Sequence, residues 1–172
     1  MSENKPKLTI DTNLINAKQK NLSMNKLEQW CDEGKLIIVG AYRLTVEIAA
    51  YKNQKASCKE LKIPNIAEPL VLDKSCLDSS YLAPSDNNAP EFGDIASILF
   101  PQKDYALLSD NDSNDVMHLM GHYYAKADIF LTNNTNDFVK DGRREVLKKQ
   151  FGIVVMTPEE AVDAFLDKYG WS

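Results

Sequence analysis

Short, nearly continuous apolar runs recur along this chain, with stretches of helical character between them. The runs are Leu8–Ile10, "KLIIVG" at 35–40, "EPLVLD" at 68–73, "IFLTN" at 129–133 and "GIVVM" at 152–156. A strand that is apolar on consecutive residues is covered on both faces, as strands of a parallel sheet flanked by helices are. The intervening segments suit such helices. One contains Leu27–Cys31 and stops at Gly34, and "YRLTVEIAAYK" spans 42–52. "FGDIASILF" at 92–100 is closed by Pro101, and "SNDVMHLMGHYYAKAD" spans 113–128. A charged helix follows around "GRREVLKKQ". The final helix announces its own start: Thr157 as N-cap, Pro158 at the first position and Glu160 closing a capping box. This alternation predicts an α/β domain built on a mainly parallel sheet of about five strands. The stretch near 74–91 is rich in Ser, Asn, Asp and Pro and reads as a surface loop or insertion.

The chain of 172 residues suits one domain over 1–172, with 44% hydrophobic and 26% charged residues. No apolar run reaches the length that spans a bilayer, so no membrane partner is expected. The polar opening "MSENKPK" lacks the apolar core of a secretion signal, and a cytoplasmic protein is the simplest expectation. Cys31, Cys58 and Cys76 are odd in number and form no C-x-x-C pair, which points to reduced structural thiols. A formal net charge of −5 argues against a large electrostatic footprint for nucleic acid. It is compatible with an enzyme that gathers acids around a metal.

The acids fall at element ends. "KLTIDTNLI" runs a strand straight into Asp11, and a carboxylate at the rim of a core is costly unless something pairs with it or binds it. Sites in open parallel sheets form beyond the carboxyl ends of the strands. Asp11 ends the first strand, and Asn134 and Asp137 follow the fourth. Asp115 is expected in the first turn of the helix leading into that strand, and Glu47 about one and a half turns into the helix after the second. Carboxylates packed together repel unless a divalent cation neutralises them. Hard oxygen ligands with few histidines suit Mg²⁺ or Mn²⁺, which activate water and stabilise charge on a phosphoryl group.

"LTIDTNLI", the glutamate of "LTVEIAA", "NDVMHLMGHYYAKADIFLTNNTNDF" and "GIVVMTPEEAV", in that order, resemble the PIN domain family over nearly the whole chain. The resemblance implies a three-layer α/β/α sandwich with strand order 3-2-1-4-5. It implies a metal-dependent endoribonuclease cutting single-stranded RNA by metal-activated water, with RNA as substrate. It also implies a toxin of a toxin–antitoxin pair with an antitoxin protein as partner, and a homodimer. Asp11, Glu47, Asp115 and Asp137 would be the catalytic, metal-holding acids. Asn13 and Asn134 would orient the acids or the substrate. The stretch between Lys74 and Lys103 is longer than expected of a compact toxin.

Blander readings stand beside these. Asp11-Thr12-Asn13 would serve equally as a helix cap, Asp115 as an ordinary acid near a helix N-terminus, and Glu47 as a polar position on an amphipathic helix. Asp110 or Asp112 would replace Asp115 if the register shifts. His118 and His122, spaced i and i+4, do not complete a zinc site, and packing or hydrogen bonding is the preferred reading. Arg143 and Arg144, within the basic run "KDGRREVLKK", would contact a phosphate backbone or merely form a solvated face. An aspartyl-phosphate enzyme is disfavoured because Asn13 stands where that class carries a second Asp. The runner-up to the nuclease is a catalytically weak or inactive PIN-like scaffold that binds RNA or protein.

Overall fold

The computed structural model describes residues 5–17, 21–41, 44, 64–66, 68–71, 80–81, 88–104 and 107–171. Of the helix expected at 42–52 only Leu44 is described, and it is helical and buried; Glu47 lies outside the described residues, as does most of the 74–91 stretch.

The chain is a mixed α/β structure on a parallel sheet. Strand β1 (Lys7–Ile10) pairs in parallel with β2 (Ile37–Ala41) on one side and β6 (Ile129–Leu131) on the other. β7 (Val155–Met156) lies beyond β6, and the two-residue β3 (Asn65–Ile66) extends the sheet past β2. The spatial order is β3-β2-β1-β6-β7. Four of the five expected strands lie in this sheet; of the one expected at 68–73, the described residues 68–71 do not. There β4 (Glu68–Pro69) pairs instead with β5 (Ser80–Tyr81) in a separate two-stranded sheet. Pro69 has no N–H to give a central ladder. The apolar character of the run has another use, since Val71 packs against the core.

Helices α1 (Thr12–Ala17) and α2 (Leu22–Asp32) connect β1 to β2. The side chain of Asn21 caps α2 by accepting from the Met24 N–H at 2.8 Å, and Gly34 at φ +72° turns the chain into the next strand. Helices α3 (Phe92–Leu99) and α4 (Asp110–Tyr124) precede β6. The one-turn α5 (Thr135–Phe138), a 3-10 turn (Lys140–Gly142) and α6 (Arg143–Phe151) lead to β7. The last helix, α7 (Pro158–Tyr169), carries the expected capping box of Thr157 and Glu160 with Pro158 in its first turn.

Alternation along the strands sends side chains to two cores. Leu8, Ile10, Ile129 and Leu131 pack with Leu27, Trp30 and Phe165, from α2 and α7. Phe130 and Val155 face the other way and pack with Leu99, Val116 and Leu147, from α3, α4 and α6. Gly121 lets α4 approach β2 closely, because a Cβ there would stand 3.1 Å from that of Ala41.

The two histidines settle as hydrogen-bonding core residues. Both lie on the face of α4 turned to β1, where His122 Nδ1 shares a hydrogen bond with Thr9 Oγ1 at 2.7 Å and His118 Nε2 shares one with Thr12 Oγ1 at 3.2 Å. Burial disfavours the imidazolium of His122 and lowers its pKa from 6.5 to about 4, against a weaker opposing pull from Asp128. The unfolded chain therefore takes up this proton first as pH falls, and stability present above pH 6.5 is lost down to about pH 4. The expected loss is about 3 kcal/mol for a shift of this size. His122→Asn should flatten the acid limb over that window, read as the urea midpoint against pH. An unchanged limb would assign acid sensitivity elsewhere.

Candidate metal and RNA site at the carboxyl ends of β1 and β6

Asp11 continues the ladder of β1. Its N–H donates to the Leu131 carbonyl at 2.9 Å, and the residue is only 4% exposed. By the alternation above, Thr9 and Asp11 point to the α4 side of the sheet, and so do Phe130 on β6 and Thr132 directly after it. This shared parity brings Thr132 to Asp11. The Thr132 hydroxyl donates to Asp11 Oδ2 at 2.6 Å, and the Asn13 amide donates to the same oxygen at 2.7 Å. Asn13 Oδ1 accepts in turn from the Asn133 N–H at 3.2 Å, tying the start of α1 to the loop after β6.

Thr132 is also the link to the second acid. Its Oγ accepts from the Asn134 N–H at 2.9 Å. Asn134 then holds Asp137 twice: its Nδ2 donates to Asp137 Oδ2 at 2.7 Å, and its Oδ1 accepts from the Asp137 N–H at 3.3 Å. One connected set of hydrogen bonds thus runs from Asp11 through Thr132 and Asn134 to Asp137. Thr132 is fully buried and has no role in the sequence reading. The signal available was its position directly after a strand apolar on both faces, on the parity of the strand-end acid.

Asp115 reaches this end of the sheet by way of α4. The pairs His122–Thr9 and His118–Thr12 show that α4 runs antiparallel to β1. One turn further toward the helix start, on the face of His118, stands Asp115. It is half-exposed. It is not in the first turn as expected, because α4 begins at Asp110, capped by Ser109. The polar run "SDNDSND" conceals that start, since its capping box closes on Asp112 rather than on Glu or Gln. Asp112 is occupied by this role and by Lys103 Nζ at 2.8 Å. Burial raises its pKa, but the bonds from Lys103 and Ser109 outweigh it and hold the carboxyl below its usual range.

The arginines divide. Arg143 Nη1 donates to the carbonyls of Asn136 at 2.8 Å and Asp137 at 3.1 Å, beside the acid. Arg144 turns to α7, where Nη1 bonds both oxygens of Glu160 at 2.8 and 3.0 Å and Nε bonds Glu145 at 3.1 Å. Those bonds, Glu160 first, raise its pKa further. Arg144 lines a groove with Glu145, Lys148, Met156 and Glu160, none of them an acid of the cluster above.

The structure thus links Asp11 and Asn13 to Asn134 and Asp137 through Thr132, sets Asp115 at the same end of the sheet, and leaves Arg144 in an ion pair. Among the described residues no three His, Cys, Asp or Glu side chains gather into a metal-holding group. The donors present are hard carboxylate oxygens, the two histidines being engaged with threonines. That chemistry fits Mg²⁺ or Mn²⁺, which take one or two direct carboxylates and keep several waters. No family model, curated protein or solved structure compared with this chain matches it.

Proposed function

We propose that the chain is a Mg²⁺- or Mn²⁺-dependent endoribonuclease of the PIN type, acting on single-stranded RNA. The observation that carries this reading is the hydrogen-bonded set from Asp11 to Asp137 at the carboxyl ends of two adjacent parallel strands. We read the sheet as the PIN order 3-2-1-4-5, counting only its own strands.

Asp11, Asp115 and Asp137 would hold the ion, together with Glu47 by resemblance. When bound, the ion supplies an activated water and neutralises charge developing on the phosphoryl oxygens. The chain's own part is orientation. Thr132 and Asn13 fix one oxygen of Asp11, and Asn134 fixes one oxygen of Asp137, so neither carboxylate swings when substrate enters. A cytoplasmic setting, an antitoxin partner and a homodimer belong to the same proposal. No helix among the described residues is long and apolar enough to cross a membrane.

A second reading has an observation of its own. Asp11 and Asp137 each receive protein donors on one carboxylate oxygen, so part of each acid's acceptor capacity is spent within the protein. That favours a scaffold that binds RNA without cutting it. Incubation with mixed-sequence single-stranded RNA separates the two. The nuclease reading expects fragments with Mg²⁺ or Mn²⁺, none with EDTA, and recovery on adding Mn²⁺. Intact RNA under every condition, with retained binding, would establish the scaffold instead.

A further inference from the structure

We infer that Arg143 is a positioning residue for Asp137, holding the helix turn that carries this acid rather than gripping an RNA phosphate. The functional consequence rests on the nuclease reading above; the structural claim does not.

Helix α5 is a single turn, Thr135–Phe138. One turn fixes several backbone dihedrals for very few internal hydrogen bonds and does not persist alone. Its position must come from outside groups. At its N-terminal end Asn134 caps it through the Asp137 N–H. Its last residue, Phe138, is fully buried, with its ring 5.2 Å from that of Phe130. At its C-terminal end the carbonyls of Asn136 and Asp137 are of the kind a helix leaves unsatisfied, and both accept from Arg143 Nη1. A cation there also complements the negative end of the peptide dipoles.

The chain path delivers Arg143 to this place. Asp141 at φ +59° and Gly142 at φ +75° reverse the backbone between α5 and α6, so the side chain at the start of α6 folds back over α5. Asp141 holds a conformation that is unusual for a residue with a Cβ. Its carboxylate lies 3.7 Å from Arg143 Nη2. The side chain of Arg143 is 17% exposed, and Nε is enclosed with no hydrogen-bond partner. With Nη1 on two carbonyls and Nε inside the protein, neither two-nitrogen edge is left for the bidentate grip that arginine gives a phosphate.

The test compares wild type with Arg143→Met, which keeps the packed stem and removes the donors, and with Arg143→Lys, which keeps the charge. The readouts are amide exchange at 135–139 in metal-free protein, Mn²⁺ affinity by calorimetry, and KM for RNA with its salt dependence. Arg143→Met should exchange at 135–139 about tenfold faster or more. Its Mn²⁺ affinity should fall roughly 10- to 100-fold, as when a group supporting a metal ligand is lost. Arg143→Lys should recover part of both, and it carries the test if Arg143→Met does not fold. At saturating Mn²⁺, KM should stay within about twofold and the salt slope should be unchanged, because no phosphate contact is removed. Unchanged exchange at 135–139 would overturn the inference whatever the chain's activity. So would faster exchange with unchanged Mn²⁺ affinity, or a raised KM with a shallower salt slope. Wild type that cuts no RNA would remove the nuclease reading, while amide exchange at 135–139 would still decide whether Arg143 holds this turn.

Discussion

Asp11→Asn should leave the protein folded and, on the proposed nuclease reading, lower RNA cleavage with Mn²⁺ by about 10³-fold, since a lost metal ligand costs several kcal/mol and each 1.4 kcal/mol is a factor of ten. The fold should survive for a geometric reason. Oδ2 of Asp11 acts in the protein as an acceptor, from Thr132 at 2.6 Å and from Asn13 at 2.7 Å. A carboxamide oxygen in that place accepts both bonds. What the substitution removes is the negative charge and one anionic oxygen of a residue that is nearly enclosed. Two measurements check this together: the rate of cleavage of single-stranded RNA with Mn²⁺, and the thermal midpoint without metal. Full activity in the variant would remove Asp11 from the site. A collapse of the midpoint would make its role structural. Thr132→Val, which deletes the hydroxyl between Asp11 and the Asn134 N–H, should have the same direction of effect on cleavage but a smaller one, because both acids remain.

Trp30→Ala should produce the largest loss of stability, about 3–5 kcal/mol, the range for emptying a buried aromatic site. Trp30 is fully buried between α2 and α7. Its ring meets Phe165 edge-on at 6.2 Å and Trp171 at 5.2 Å, and Trp171 stacks on Tyr169 at 4.7 Å. This cluster holds the end of the chain against the α2 face of the sheet. A chain of this size loses roughly 2–4 °C in Tm per kcal/mol, so a drop of about 10 °C is expected by calorimetry. Faster amide exchange across 165–171 should accompany it, since the ring that Phe165 and Trp171 share would be gone. A change under 1 kcal/mol, on the order of a surface substitution, would mean that the cluster refills the space.

The strand–helix alternation, the stop at Gly34 and the capping box at Thr157 were legible in the amino-acid order. Each depends on neighbours within a turn or a strand: apolar periodicity, a left-handed φ, a hydroxyl and a carboxylate three residues apart. The carboxylate at the end of β1 was legible for the same reason, as was the clustering of Asn134 and Asp137 after β6. The hydrogen-bonding role of the paired histidines also agrees with the sequence.

Other features needed the tertiary structure. Glu68–Asp73 reads as a sheet strand because it is apolar, yet burial against a helix leaves the same signature as burial in a sheet. Asn65–Ile66, a polar and an apolar residue with no run around them, pairs with β2 because the chain path brings them there. Arg143 and Arg144 are indistinguishable as neighbours in a basic run. They part because successive residues of a helix point about 100° apart, one back over α5 and the other to Glu160 on α7. Thr132 acquires its role from a residue 121 positions away, through strand register and side-chain parity. Local sequence determined which elements form and where acids end them. Only the packed chain decided which side chain each acid meets, because those partners are set by register, by helix direction and by the reversal at Asp141 and Gly142.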